Sequence, residues 1–134
     1  FISSIDLSLY FSKNMVLQKF GRIFTITSIS VVEPIKNLAI STSMRAAITG
    51  FYKTLATEIA NTGVTINTIM PGIINTNRIK LLYPNLEQTI ENIPMKRLGE
   101  PHEIGDFITY LSSDRASYIT GQNFCIDGGL RKGY

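Results

Sequence analysis

Six residues carry the groups that could do chemistry: Ser28, Ser41, Arg45, Pro71, Gly72 and Thr76. Ser41 follows Ser28 by thirteen residues and Arg45 follows Ser41 by four. Residues four apart share one face of a helix, so Ser41 and Arg45 turn the same way. Serine hydroxyls give and take hydrogen bonds. A guanidinium adds a permanent positive charge and a planar fork of donors. The set lacks a ready proton. A phenol has a pKa of about 10, which a nearby cation can draw down, whereas a serine hydroxyl is a far poorer acid. Each position also has a plainer reading. Ser28 could end a strand and bond its own backbone. Ser41 could cap a helix or only pack. Arg45 could be a solvated charge and Pro71-Gly72 only a turn. The case for a site rests on all of them converging at one edge of the fold.

The elements that would bring them there can be read from the apolar pattern. "FISSIDLSLYFSKNMVLQKF" has Phe1, Ile5, Leu9, Val16 and Phe20 mostly one helical turn apart and predicts a helix ended by Gly21. "RIFTIT", residues 22–27, is short and β-branched, which suits a strand covered on both faces in a parallel sheet. A loop with Pro34 leads to a helix over residues 38–60, with Met44, Ala47, Ile48, Phe51, Leu55 and Ile59 on its inner face. Gly63 is its left-handed cap. "VTINTIM", residues 64–70, is the next strand. A long mixed segment with short helices follows and is expected to be mobile. Pro101 and Glu103 open a third clear helix, whose Ile104, Phe107, Ile108 and Leu111 face inward. "NFCI" is a last strand before Asp127-Gly128-Gly129. The alternation predicts an α/β fold with a parallel sheet in one domain, residues 1–134. In such sheets ligands bind beyond the carboxyl ends of the strands. Ser28, the Pro71-Gly72 turn, the segment to Thr76, and the helix start bearing Ser41 and Arg45 all belong to that edge.

Composition narrows the function classes. The chain has 134 residues, 44% hydrophobic and 17% charged, with a net charge of +3. That is ordinary for a globular domain with a real core. The basic residues are scattered, with no dense stripe for nucleic acid. No apolar run approaches the roughly 18 residues needed to span a bilayer. The single Cys125 has no internal disulfide partner and is expected to be a buried structural thiol. The single His102 leaves no His-rich metal site. These features fit a cytoplasmic protein.

The whole chain resembles the latter half of the short-chain dehydrogenase/reductase family, and within it the 3-oxoacyl-carrier-protein reductase-like members. The likeness rests on "GRIFTITS", on "KTLATEIANTGVTINTIMPGIINT" and on "IPMKRLGEPHEIGDFITYLSSDRASYITGQNFCIDGG". It implies a Rossmann-type fold with a doubly wound parallel sheet, NAD or NADP as cofactor, and a small-molecule carbonyl or alcohol substrate. In that family a serine hydroxyl bonds the carbonyl oxygen and a tyrosine gives it a proton. A lysine lowers the tyrosine pKa and holds the nicotinamide ribose. Ser28 matches the serine. The tyrosine position is Ser41 and the lysine position is Arg45, so the implied catalytic set is Ser28, Ser41 and Arg45. Arg45, Pro71, Gly72, Ile74 and Thr76 match positions that touch the nicotinamide end of the cofactor.

The departures shape the functional reading. Without a tunable phenol at position 41, carbonyl reduction of the usual family kind is expected to be weak. One hypothesis is an active but atypical NAD(P)-dependent oxidoreductase, with the proton supplied by water or another residue. The other is a degenerate member serving as a nucleotide-binding or oligomeric scaffold. A homodimer or homotetramer is expected, packed through Leu7, Phe11, Tyr52 and Ala56 on the outer faces of the first two helices. The family's Gly-rich phosphate loop has no counterpart here, and its catalytic asparagine would fall just before Phe1. The dinucleotide-binding half is therefore expected in an upstream segment of about a hundred residues. The chain alone is expected neither to be autonomous nor to bind dinucleotide.

Overall fold

The computed structural model describes residues 1–133. The elements run α1 (Ile2–Gln18), β1 (Gly21–Ile26), α2 (Ala39–Ile59), β2 (Val64–Pro71), α3 (Asn77–Leu82), α4 (Leu86–Glu91), α5 (Pro101–Ser112) and β3 (Asn123–Ile126). Single 3-10 turns cover Ile29–Val31, Ala60–Thr62 and Asp114–Ala116. The three strands form one parallel sheet in the order β1-β2-β3. Gly21 aligns with Val64 and Ile26 with Ile69, while Thr68 aligns with Asn123 and Pro71 with Ile126. This is the expected α/β architecture with a parallel sheet.

β2 explains why the sheet needs cover on both sides. Residues 64–70 are all buried, so both faces of that strand are packed. Side chains alternate across a strand. Val64 and Ile66 accordingly join Ile48, Tyr52, Leu55 and Ala56 on one face, with Met15, Val16 and Ile23 against them. Ile69 joins Ile104, Leu111 and Ala116 on the other, with Phe24, Phe107 and Phe124. Asn67 sits in the second layer with its polar atoms satisfied. It donates to the Ile119 carbonyl at 2.9 Å and accepts from the Gln122 N–H at 3.0 Å, which ties the approach to β3 onto β2.

Several expectations need correction. Gly21 does not end α1. Lys19 takes the left-handed cap at φ 56, and Gly21 opens β1. A Cβ on Gly21 would lie 2.6 Å from Met15, so close helix–strand approach is what requires glycine there. The buried side of α1 is not its apolar side. Ser8 and Ser12 are buried while Leu9, Tyr10 and Phe11 are exposed. The inner face of α2 is wider than the expected one: Ile48, Leu55, Phe51 and Ile59 pack inward as expected, but the buried side extends further. Tyr52 and Ala56, expected outside, are 5% and 1% exposed, whereas Met44 and Ala47 face outward. Two contacts account for the extension: the Tyr52 hydroxyl bonds the Ser8 hydroxyl and reaches the Ser4 carbonyl of α1 at 3.3 Å. Buried tyrosines take such partners, and small serines let the helices approach. Cys125 is half-buried rather than buried, with its sulfur 3.8 Å from an Arg131 guanidinium nitrogen. Gly63 does adopt the left-handed conformation, at φ 82, after the 3-10 turn that follows α2. Among the described residues no helix is long and apolar enough to cross a membrane.

Candidate functional site

At the carboxyl end of β1 the chain leaves the sheet through Thr27, whose N–H donates to the Ile69 carbonyl of β2 at 2.8 Å. Ser28 then caps the 3-10 turn Ile29–Val31. Its Oγ accepts the Ser30 N–H at 3.1 Å. That bond occupies an acceptor site of the hydroxyl and leaves its proton free to point at a ligand. So the plainer reading of Ser28, a strand end bonded to its own backbone, holds without costing it the donor.

The start of α2 supplies Ser41 and Arg45, which are bonded to each other. Arg45 Nε donates to Ser41 Oγ at 3.2 Å, and Arg45 Nη1 donates to the Thr27 carbonyl at 2.8 Å. The guanidinium thus ties the helix to the strand end beside Ser28. A guanidinium has five N–H donors, and among the described residues only these two bonds engage it, which leaves most of its fork open to a ligand.

Gly72 completes the site from β2. A Cβ at Gly72 would lie 2.7 Å from the Asp127 Cα, so glycine is required because the ends of β2 and β3 converge there. The Gly72 N–H donates to the Ile126 carbonyl at 2.9 Å. Asp127 in turn closes the loop after β3 by accepting the Gly129 and Arg131 N–H groups, both at 2.9 Å.

These elements enclose a cavity of about 360 Å³, within the size range of small-molecule sites. Ser28, Ser41, Arg45 and Gly72 line it together. Thr76 does not. Its hydroxyl accepts the Ile79 N–H at 3.4 Å and caps α3, so it positions the cavity wall rather than forming it. Pro71 ends β2 outside the lining. Ile74 packs into the α5 layer, bridges to Gly99 and lines a separate cavity with Arg97, Glu103 and Cys125.

Four polar residues of the cavity escape the sequence reading: Ser30, Glu33, Arg78 and Tyr83. Ser30 is 1% exposed and its hydroxyl has no partner among the described residues. Glu33 accepts the Lys132 N–H at 3.2 Å. Arg78 and Tyr83 come from α3 and its end. Only Ser30 had a usable signal, two residues beyond Ser28 on the same turn.

Away from the cavity, Arg97 grips Glu103 with two bonds of 2.8 and 2.7 Å, and the same carboxylate accepts the Glu100 N–H at 2.7 Å at the start of α5. The Arg97 bond first, then the Glu100 N–H, hold the Glu103 carboxyl at about 2, far below its ordinary 4.5. The guanidinium of Arg97 is raised by the same bond.

Residues 2–131 match the family described as enoyl-(acyl carrier protein) reductase. The chain is 42% identical over 120 residues to the 3-oxoacyl-[acyl-carrier-protein] reductase of Synechocystis sp., covering 89% of this chain and 48% of that one. It is 40% identical over 120 residues to nodulation protein G of Azospirillum brasilense, covering 89% of this chain and 49% of the relative. Among solved structures, YwfH, an NADPH-dependent reductase involved in bacilysin biosynthesis, superimposes with a TM-score of 0.94 at 33% identity over 99% of this chain and 56% of that one. The chain spans about half the length of the curated relatives it matches. With the family match covering residues 2–131 and the α/β fold superimposing on an NADPH-dependent reductase, the chain belongs to the short-chain dehydrogenase/reductase family.

Proposed function

We propose that this protein is an NAD(P)-dependent oxidoreductase that interconverts a carbonyl and an alcohol. The nicotinamide end of the cofactor and the substrate carbonyl would share the Ser28 cavity. The observation that carries the reading is the Ser28 hydroxyl. Its oxygen is fixed by the Ser30 N–H, its proton is free, and it opens into one cavity with Arg45 and Gly72. A donor held in advance where negative charge develops on a carbonyl oxygen is the usual source of catalytic stabilisation in such sites.

The residues present suit the nicotinamide end rather than the whole dinucleotide. Arg45 keeps donors available for ribose hydroxyls, and the Gly72 backbone can approach a ligand closely. When bound, a reduced nicotinamide supplies hydride to the carbonyl carbon. Ser28 orients and polarises the carbonyl, and Arg45 holds the ribose while keeping the end of β1 in place. Pro71, Ile74 and Thr76 support this arrangement by fixing the β2–α3 connection. We assign the pyrophosphate grip to a Gly-rich turn outside these 134 residues, in keeping with the share of each relative that the chain spans. A cytoplasmic setting and a closed homo-oligomer belong to the same proposal.

The names of the relatives make 3-oxoacyl thioesters the first substrates to test. The experiment is a fluorescence titration of the intact protein with NADH and NADPH, followed by a carbonyl screen that includes an acetoacetyl thioester. Saturable cofactor binding with cofactor oxidation supports the reading. Binding of neither cofactor overturns it. That outcome favours the second reading, a scaffold member, for which the observation is that Ser41 and Arg45 bond each other and the backbone.

A further inference from the structure

An oxidoreductase of this kind needs a proton for the alcohol oxygen, and neither Ser41 nor Arg45 supplies one. Ser41 is an alcohol whose oxygen already accepts from Arg45. A guanidinium does not give up a proton in proteins. Two other cavity side chains carry acidic groups, Glu33 and Tyr83. Glu33 serves as an acceptor for the Lys132 N–H. Tyr83 is half-buried in the cavity wall, and its phenol has no protein partner among the described residues. The other described tyrosines do not reach this cavity, and Tyr52 is committed to Ser8 and Ser4.

Tyr83 is also held in position. It ends α3, with its N–H bonded to the Ile79 carbonyl at 3.0 Å, and Thr76 caps the start of that helix shortly after Gly72. Tyr83 therefore joins the cavity lining from the β2–α3 side, while Ser28 joins it from the end of β1. Arg45 and Arg78 line the same cavity, and their positive charge favours negative charge on a substrate oxygen there.

Resting on the oxidoreductase reading, we propose that Tyr83 is the proton donor of this site, doing from α3 what Ser41 cannot do from α2. With hydride from the reduced nicotinamide forming the new C–H bond, the C=O π pair moves to oxygen. The Tyr83 O–H bond breaks and its proton passes to that oxygen, completing the alcohol. The nicotinamide is left oxidised, and the phenolate recovers a proton from water. In the alcohol-oxidising direction each transfer reverses.

The test compares intact wild-type protein with Tyr83→Phe, using NADPH or NADH and ethyl acetoacetate. The expected result is a fall in kcat of about 10²–10⁴-fold, the usual worth of a positioned acid, with KM changed only a few-fold. A second readout needs no turnover. In protein carrying ¹³Cζ-tyrosine, the resonance absent from Tyr83→Phe should shift as ethyl acetoacetate is added without cofactor. Full activity in Tyr83→Phe, or a Tyr83 resonance unmoved by the probe, overturns the assignment while a wild type that reduces carbonyls keeps the oxidoreductase reading. A wild type that oxidises neither cofactor with any carbonyl overturns both.

Discussion

Arg45 offers the sharpest check on how the cavity is held open. Its Nη1 bond to the Thr27 carbonyl is 2.8 Å and joins α2 to the end of β1, where Thr27 is only 7% exposed. A hydrogen bond from a charged donor contributes about 1.5–3 kcal/mol, and an acceptor left unpaired in a buried setting costs about 1–3 kcal/mol. Arg45 itself is half-buried, so water can rescue part of the loss. Arg45→Met should therefore destabilise the protein by about 1.5–2.5 kcal/mol. Ser41→Ala removes only the weaker 3.2 Å bond to a neutral hydroxyl and should cost about 0.5 kcal/mol. Arg45→Lys should fall between them, because one ammonium cannot serve Thr27 and Ser41 with the geometry of a planar fork. The double variant should show a coupling of about 0.5 kcal/mol, as expected for residues in one network. Urea unfolding of the intact protein measures all four, with unchanged m-values certifying that stability alone moved. The reasoning fails if Arg45→Met lies within 0.5 kcal/mol of wild type, or if Ser41→Ala costs more than Arg45→Met.

Further expectations follow from other parts of the fold. Because the Glu103 pKa is depressed from 4.5 to about 2, its contribution to stability is present above pH 4.5 and is lost as pH falls through about 2. Glu103→Gln should flatten that part of an acid-unfolding curve and leave the neutral plateau nearly level. Gly63→Ala should destabilise by about 2 kcal/mol or more by urea midpoint, since φ is 82 and a Cβ would lie only 2.2 Å from the Lys19 carbonyl. Ser30→Ala removes a buried hydroxyl that has no partner among the described residues, so stability by urea midpoint should hold or rise by up to about 1 kcal/mol. Leu7 and Phe11 are 58% and 50% exposed on α1, so Leu7→Glu with Phe11→Lys should reduce the particle mass seen by light scattering. An unchanged monomer mass in wild type would remove the oligomer from the proposed function.

The sheet was legible in the sequence because its signals are local. "VTINTIM" is short, β-branched and bounded by Gly63 and Pro71-Gly72, and it became a strand buried on both faces. Pro101 and Glu103 announced α5, and its Ile104 and Leu111 are buried as the periodicity implies. The orientation of the first two helices was legible only in part. Apolar counting placed Leu9 of α1 and Met44 of α2 inside, yet both are exposed. Beside the expected Val16, Ile48 and Leu55, the inner faces use Ser8, Ser12, Thr49 and Tyr52, whose hydroxyls are satisfied by bonds within their own helix or, for Ser8 and Tyr52, between the two helices. Periodicity records how much apolar surface a helix carries. It does not record which side meets a neighbour that wants small or polar groups, nor which apolar side stays exposed for another partner.

The site divides along the same line. Ser28, Ser41, Arg45 and Gly72 could be brought together from sequence because strand ends and a four-residue helical step fix their positions to within one edge of the sheet. Their bonds could not, and these change the chemistry. Arg45 was expected as a free charge for a ribose, but it also anchors the strand end. Thr76 was expected in the cleft, but it spends its hydroxyl on the α3 cap. The helix it caps ends at Tyr83, which lines the cavity. A six-residue helix with mixed composition has no periodic signal strong enough to locate a side chain seven residues beyond its cap. A proton donor carried on such a segment is invisible to motif matching, which looks for a phenol four residues before a lysine. Loss of the motif at positions 41 and 45 is therefore weak evidence for loss of chemistry. What decides between the two readings is whether an acidic group lining the same cavity as Ser28 gives up a proton there, and the Tyr83→Phe comparison measures that directly.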